Sequence, residues 1–149
     1  MAFDDSRFLY AEDPDNPGWH RWQLREEGRF NTFLGPFLVR RDGARAVVRM
    51  TPHSGMLNFL DRLHGGALMG FIDSAMFAGA RLFGGEGVQD AITVDLSVQM
   101  AAGCSADRPV DAIVELTRET GRLMFLRGSV EQGDETIAGF IATIRKVTS

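Results

Sequence analysis

The segment from residue 66 to residue 83, GALMGFIDSAMFAGARLF, constrains the fold more than any other part of the chain. It is rich in small residues and apolar on almost every side of a helical wheel, and a helix with this pattern is buried all round. The Gly84-Gly85 pair that follows is a typical helix stop. The rest of the chain is therefore expected to cover this one helix.

Strand patterns dominate on both sides of that helix. Asp42-Gly43 lies between two β-favouring runs, which predicts a hairpin, and residues 91–100 alternate as a strand does. Residues 110–147 contain three apolar-rich runs separated by short turn sequences, which predicts an antiparallel meander. With the N-terminal helix described next, the predicted order is a helix, two strands, one buried helix and four strands. This is an α+β fold with an antiparallel sheet wrapped around one long central helix.

The N-terminal part follows a different pattern. Residues 1–18 are polar and contain two prolines, which predicts an irregular lead-in. Residues 19–33, WHRWQLREEGRFNTF, carry apolar residues at spacings that suit a short surface helix. Gly35-Pro36 breaks this pattern, so the chain is expected to divide into a lead-in and short helix over 1–33 and a main domain over 34–149.

Composition and charge exclude several classes of function. The net charge is −4 and no basic block exists, which argues against nucleic acid as a partner. Cys104 is the single cysteine, so no disulfide forms within the chain, and without a nearby histidine it is expected to be a bystander. The three histidines lack metal-site spacing, so no metal is expected. The N-terminus has no signal-peptide pattern and no run suits a membrane span, so a cytoplasmic location is expected.

Asp73 is an unusual residue for the middle of an apolar helix. It follows Gly66 by seven residues, so it lies on the same side as the first turn, whose free N–H groups attract an anion or a developing oxyanion. With His64 and Asn58 on the entering loop, the group suits attack on a polarised carbonyl. The residues alone leave an alternative open, in which Asp73 pairs with an arginine such as Arg81 and His64 only caps the helix.

The spacing N-x5-HGG-x6-D resembles the pattern of hotdog-fold acyl-CoA thioesterases of the phenylacetic-acid-degradation (PaaI-like) type; its residues here are Asn58, His64-Gly65-Gly66 and Asp73. The resemblance continues through TVDLSVQM and TRETGR and covers roughly residues 34–149. The family usually has glycine three residues after the asparagine, where this chain has Asp61.

The resemblance implies a role for each catalytic residue. Asp73 would be the general base or nucleophile that drives hydrolysis of the thioester. The Gly66 N–H would hold the thioester carbonyl oxygen, while Asn58 and His64 would orient the water and the carbonyl.

The resemblance also implies substrate contacts and partners. Gly65, Thr93 and Arg122 would contact the acyl-CoA substrate, Thr93 near the carboxylate and Arg122 at the phosphates of coenzyme A. No metal or redox cofactor is expected, because coenzyme A is part of the substrate. The site would lie between the subunits of a homodimer, in which Asp73 of one subunit faces the loop of the other, and a homotetramer is expected.

Two other functions stay open at this stage. A hotdog hydratase or dehydratase needs a catalytic histidine, often five residues after the aspartate, and this chain has Ala78 at that position. A non-catalytic acyl-CoA-binding protein has no use for an acid on an apolar face, so Asp73 argues against it.

Overall fold

The computed structural model describes residues 6–84 and 87–147 as eight strands and two α-helices. The elements are β1 (Phe8–Glu12), β2 (His20–Leu24), α1 (Phe30–Leu34), β3 (Phe37–Asp42), β4 (Arg45–Met50), α2 (Gly65–Phe83), β5 (Ile92–Met100), β6 (Val110–Glu119), β7 (Leu123–Gln132) and β8 (Glu135–Arg145). A short 3-10 helix, Ser54–Met56, lies between β4 and α2.

All eight strands form one antiparallel sheet in the order β1-β2-β3-β4-β6-β7-β8-β5. Helix α2 packs across the middle of this sheet, mainly against β4 and β6. Its buried side chains include Phe71, Ile72 and Met76, none of which is accessible to solvent. This confirms the predicted antiparallel sheet around one central helix.

The predictions for residues 36–147 agree closely with the structure. The hairpin turn at Gly43, the strand over 91–100 and the three-stranded meander are all where the sequence patterns put them. Gly84 ends α2 with a φ of +82°, a conformation that favours glycine, whereas Gly85 lies outside the described residues. None of the described helices is long and apolar enough to cross a membrane.

The N-terminal prediction was wrong over the described residues. The expected lead-in contains β1 and the expected surface helix contains β2, and only residues 30–34 are helical. Trp22 explains the difference, because its ring is buried and stacks on Phe8 at 5.0 Å and on Phe37 at 5.9 Å. Burial of this aromatic row outweighs the helical spacing. The division at residue 33 stays a prediction, although β1 and β2 extend the same sheet as the rest.

Strand β5 ends the sheet, so one of its edges has no neighbouring strand within the described chain. The pairing of β5 with β8 shifts register between Thr93 and Asp95, which marks Val94 as the extra residue of a β-bulge. Both features lie beside α2 and determine the geometry of the site.

Candidate active site

Asn58 shapes the loop that leads into α2. Its Oδ1 accepts hydrogen bonds from the backbone N–H groups of Leu60, at 2.9 Å, and Arg62, at 3.1 Å. Asp61 adopts a φ of +56°, in the left-handed region that glycine and, less often, aspartate and asparagine occupy. The glycine common in the family at this position would adopt the same turn without strain. The presence of aspartate at position 61, where the family usually has glycine, is therefore compatible with this loop conformation.

Backbone hydrogen bonds fix the base of this loop. The His64 N–H donates to the Met56 carbonyl at 2.8 Å, and the Leu63 N–H donates to the Cys104 carbonyl at 3.1 Å. The loop around Cys104 is held in turn by the buried Gln132, whose amide bonds Ser105 through both its oxygen and its nitrogen. The entering loop thus rests on a rigid support.

The Cys104 thiol is buried and has no chemical role that the structure supports. Burial raises its pKa to about 11, with a smaller contribution from the nearby Glu135 charge, while Arg108 lowers it. A thiol with this pKa stays protonated at neutral pH and is a poor nucleophile. This agrees with its interpretation as a bystander.

His64 caps the first turn of α2. Its Nδ1 accepts a hydrogen bond from the Gly66 N–H at 2.8 Å, so the neutral imidazole carries its proton on Nε2. The amide expected to hold the carbonyl oxygen is therefore engaged by His64 in this conformation. The neighbouring Gly65 N–H has no hydrogen-bond acceptor among residues 6–84 and 87–147. The Gly65 amide is therefore an open donor at the start of the helix.

The Asp73 carboxylate is half-buried and accepts a hydrogen bond from Thr93. The Thr93 hydroxyl donates to Asp73 Oδ1 over 2.7 Å, which confirms the expected contact between these two side chains. No lysine or arginine in the described part of the chain forms an ion pair with Asp73. The alternative in which Asp73 pairs with Arg81 is therefore not what the structure contains.

The bulge at Val94 is what turns Thr93 towards α2. Thr93 lies opposite Ile144, and Leu96 lies opposite Ala142, and both partners on β8 are buried against the core. Directly opposed residues share a face of the sheet, so Thr93 and Leu96 both face the helix. Three positions separate them, which strict alternation would put on opposite faces. Because Val94 is an extra residue, the alternation shifts by one position, and Thr93 and Leu96 lie on the same face.

The structure keeps the two halves of the predicted site apart within one chain. Asp73 and Thr93 meet, and His64 and Gly66 meet, but no hydrogen bond in the described residues joins the two pairs. Seven residues of helix separate Gly66 from Asp73, which corresponds to about 10 Å along the axis. Both groups would have to lie about 3 Å from one reacting carbonyl. One copy of the chain does not supply that geometry.

Arg122 also lies apart from the other site residues. It is exposed in the turn between β6 and β7, where its N–H donates to the Thr120 hydroxyl at 3.4 Å and its carbonyl accepts from the Lys146 N–H at 2.8 Å. Its side chain forms no ion pair or hydrogen bond within residues 6–84 and 87–147. Its assignment to substrate binding stays a prediction.

A cavity of about 230 Å³ borders Asp73, and the sequence analysis did not identify it. Helix α2 contributes Asp73, Phe77 and Arg81 to its wall, while Phe8 and Trp22 come from β1 and β2. The spacing of four residues between Asp73, Phe77 and Arg81 was the available signal, because such residues share one helical face. The aromatic wall was not foreseeable once β1 and β2 were predicted as other structures.

No cluster of three or more His, Cys, Asp or Glu side chains that could hold a metal ion occurs among the described residues. The chemical groups that the site offers are a carboxylate, a hydroxyl, an imidazole and backbone amides.

Solved structures with the same architecture identify the fold. The TT0310 protein from Thermus thermophilus matches with a TM-score of 0.67 and 22% identity, over 83% of this chain and 100% of that one. A variant of the phenylacetic acid degradation protein PaaI from the same organism matches with a TM-score of 0.63 and 23% identity, over 77% and 96% of the two chains. The PaaI protein from the E. coli phenylacetic acid degradation operon matches with a TM-score of 0.61 and 21% identity, over 72% and 76%. This is a hotdog fold.

The chain belongs to the thioesterase superfamily. The model of that family matches residues 60–138, more than half of the chain, from the entering loop to the first residues of β8. The match includes His64, Gly65, Gly66 and Asp73, whereas Asn58 lies two residues before it. No curated protein matches the sequence.

Proposed function

We propose that this protein is an acyl-CoA thioesterase that hydrolyses its substrate to the free acid and coenzyme A. The observation that carries the proposal is the Asp73 carboxylate, which borders a cavity, is oriented by Thr93 and has no cationic partner in the described chain. A carboxylate in this setting is available to take a proton or to attack a carbonyl carbon. Membership of the thioesterase superfamily indicates which carbonyl that is.

Asp73 acts in one of two ways in this proposal. As general base, it takes a proton from a water molecule while the water oxygen bonds to the thioester carbonyl carbon. The C–S bond then breaks, and the departing thiolate takes up the proton. As nucleophile, the carboxylate attacks the carbonyl carbon, and the C–S bond breaks to release the coenzyme A thiolate and leave a mixed anhydride. Water then hydrolyses the anhydride to the free acid and the Asp73 carboxylate, and the thiolate takes up the proton that is released. In both cases the Thr93 hydroxyl holds Oδ1, so that Oδ2 meets the substrate.

The first turn of α2 stabilises the negative charge that develops on the carbonyl oxygen. The open Gly65 amide is one donor, and the Gly66 amide becomes a second when His64 rotates away from it. The Asn58 amide nitrogen orients the water and the carbonyl, since its Oδ1 is already bonded to the loop backbone. His64 Nε2 shares this role while Nδ1 still accepts from the Gly66 N–H, and in that conformation the oxyanion donor is the Gly65 amide.

A homodimer would bring the two halves of the site together. We infer that β5 pairs antiparallel with β5 of a second copy, so that Asp73 of one subunit faces Asn58, His64 and Gly66 of the other. An unpaired strand edge is a template for such pairing, and β5 exposes Val94 at 57% and Ile92 at 46%. A two-fold axis between the strands makes both sites equivalent.

The tip of the entering loop also supports the dimer. Phe59 and Leu60 follow Asn58 directly and are 93% and 63% exposed, which is unusual for adjacent large apolar residues. A second subunit placed against the loop would cover both. A tetramer, a cytoplasmic location, phosphate binding by Arg122 and the lack of any cofactor stay predictions.

The test is an assay of thiol release from a panel of acyl-CoAs with the purified protein. We expect turnover by the wild type and a loss of about 100-fold or more in kcat for Asp73→Asn, which keeps the size of the side chain and removes its basicity. Asp134→Asn, in the exposed turn between β7 and β8, is the matched control and should keep the full rate. If the wild type hydrolyses none of the short, long or aromatic acyl-CoAs, the proposal is refuted. Full activity of Asp73→Asn would refute the mechanism alone.

A further inference from the structure

The cavity beside Asp73 follows one face of α2. Asp73, Phe77 and Arg81 line it at intervals of about one helical turn, so it spans about 12 Å of the helix axis. Phe30 of α1 contributes another aromatic side chain to its wall. The carboxylate therefore lies at one end of an elongated cavity.

The two N-terminal strands close in on the other end of this cavity. Phe8 of β1 and Trp22 of β2 both line it, and their rings are stacked with centres 5.0 Å apart. The Arg81 side chain packs on this pair, with its guanidinium carbon 4.7 Å from the centre of the Phe8 ring and 5.4 Å from that of Trp22. Because Arg81 lies two turns beyond Asp73, these contacts place both rings at the far end of the cavity.

The sheet holds the two rings in place. Phe8 lies opposite Leu24 and Trp22 lies opposite Tyr10, so Phe8 and Trp22 are diagonal neighbours on one face of the β1–β2 pair. Trp22 is 4% exposed and also stacks on Phe37 of β3 at 5.9 Å. Phe8 is only half-buried and belongs to the strand at the edge of the sheet. Trp22 therefore anchors this aromatic wall, and Phe8 can be shortened without removing the anchor.

The size of the cavity limits what it can hold. Its volume of about 230 Å³ corresponds to about eight groups the size of a water molecule or a methylene, each of about 30 Å³. Its length gives a similar limit, because an extended hydrocarbon chain advances by about 1.3 Å per carbon and eight carbons therefore take up about 10 Å.

We propose, on the basis of the proposed function, that the acyl group of the substrate lies in this cavity and that Phe8 and Trp22 limit it to about eight carbons. Each methylene that enters the cavity leaves water, which should raise the affinity about fourfold per carbon while the chain still fits. A longer chain has to push the Phe8 ring off Trp22 or leave its own end in water. The gain in affinity therefore stops at the aromatic wall.

A series of saturated acyl-CoAs from butanoyl-CoA to dodecanoyl-CoA tests this inference. We expect the kcat/KM of the wild type to rise up to octanoyl-CoA and to be about tenfold lower for dodecanoyl-CoA, because the longer chain disrupts the stacked rings. Phe8→Ala removes a ring of six carbons from the end of the cavity. It should therefore move the highest kcat/KM to decanoyl-CoA or dodecanoyl-CoA.

Phe33→Ala is the matched control. Phe33 is a partly exposed phenylalanine of α1 that stacks on the cavity residue Phe30 at 6.1 Å, but it does not line the cavity itself. Loss of its ring should leave the highest kcat/KM at octanoyl-CoA. Phe8→Leu keeps an apolar side chain on Trp22 and should produce a smaller shift than Phe8→Ala, so the test also holds if Phe8→Ala is unstable.

Binding separates failure of this inference from failure of the proposed function. Calorimetric titration of Asp73→Asn with the same acyl-CoAs should show an affinity that rises up to octanoyl-CoA and no further, and Phe8→Ala added to that variant should extend the rise. Equal hydrolysis of octanoyl-CoA and dodecanoyl-CoA by the wild type would overturn the inference and leave the thioesterase proposal intact. A length limit that neither Phe8→Ala nor Phe8→Leu changes would do the same.

Two further outcomes concern the proposed function. A length limit in binding that Phe8→Ala extends, without hydrolysis of any acyl-CoA by the wild type, would support the inference and refute the proposed function. Absence of both binding and hydrolysis for every acyl-CoA in the series would overturn both.

Discussion

Asn58 and His64 each use one end of the side chain to hold the backbone around the site. Asn58 Oδ1 accepts from two N–H groups of the loop, and His64 Nδ1 accepts from the Gly66 N–H. The opposite ends, the Asn58 amide nitrogen and His64 Nε2, are donors that remain available for a carbonyl oxygen or a water. A structural and a chemical role are thus compatible in the same residue. The sequence spacing predicted the chemical role but not these local bonds, which depend on rotamers.

The buried thiol of Cys104 makes a prediction about stability at high pH. Burial raises its pKa from 9.0 to about 11, so above pH 9 the unfolded chain loses this proton while the folded chain keeps it. The free energy of unfolding of the wild type should therefore fall between about pH 9 and pH 11, by on the order of 1–2 kcal/mol from this group. Urea unfolding at several pH values measures this fall in the free energy of unfolding.

Cys104→Ala is the control for that measurement. The other groups that titrate above pH 9 are common to both proteins, so the difference between the two stability curves isolates the thiol. Parallel curves across this range would show that the thiol has an ordinary pKa. The same burial should also keep Cys104 from contributing a background in assays that use a thiol reagent.

Strand β5 shows what a residue pattern can and cannot predict about an element. The alternation over 91–100 predicted the strand correctly, yet it puts Thr93 on the same face as Asp95, Ser97 and Gln99. The bulge at Val94 reverses that and brings Thr93 to Asp73. A bulge is set by pairing with β8, a strand more than 40 residues later in the chain, so the local sequence does not reveal it.

The N-terminal strands were missed for a related reason. Trp22 and Leu24 are buried and the residue between them is more exposed, which is the alternation typical of a strand. The strand is only five residues long, so this pattern is too short to be distinguished from a helical one in the sequence. Its partners in burial, Phe8 and Phe37, are distant in sequence. The position of Arg81 could not be inferred without them.

Helix α2 packs closely against the sheet at Gly79, which makes a prediction about stability. A Cβ at this position would lie 2.9 Å from Val114 Cβ and 3.1 Å from both of its methyl carbons. Alanine in a helix interior normally stabilises by about 1 kcal/mol relative to glycine, but overpacking a core costs about 1–3 kcal/mol. Gly79→Ala should therefore lower the free energy of unfolding by up to about 2 kcal/mol, measured by chemical denaturation.

Gly70→Ala is the matched control on the same helix. Its Cβ would meet the Phe30 ring at 2.6 Å and Leu34 Cδ1 at 3.3 Å, and the exposed Phe30 ring can move aside. Its effect on stability should be clearly smaller than that of Gly79→Ala. A Gly79→Ala protein as stable as the wild type would mean that α2 does not pack against β6 as described.

At the scale of the whole molecule, the fold explains why the two halves of the predicted site lie apart in one chain. Helix α2 carries both halves on a single rigid rod, so no loop motion brings Gly66 to Asp73 of the same chain. Placing β5 at the open edge of the sheet leaves Thr93 and Asp73 next to the surface where a second copy would pair. The sequence predicted the two halves of the site, and it suggested their division between subunits only through the family resemblance.

Mixing two inactive variants tests the shared site directly. Asp73→Asn removes the carboxylate, and Gly65→Val puts a side chain in front of the open amide, where a Cβ would meet only the Met100 side chain, at 3.4 Å or more. Each variant alone should lack activity. Refolding an equal mixture would make about half of the dimers mixed, and each would have one intact site, so about a quarter of wild-type activity should return. Mass spectrometry with one variant isotopically labelled shows whether mixed dimers have formed. If they have formed and no activity returns, each site belongs to a single chain.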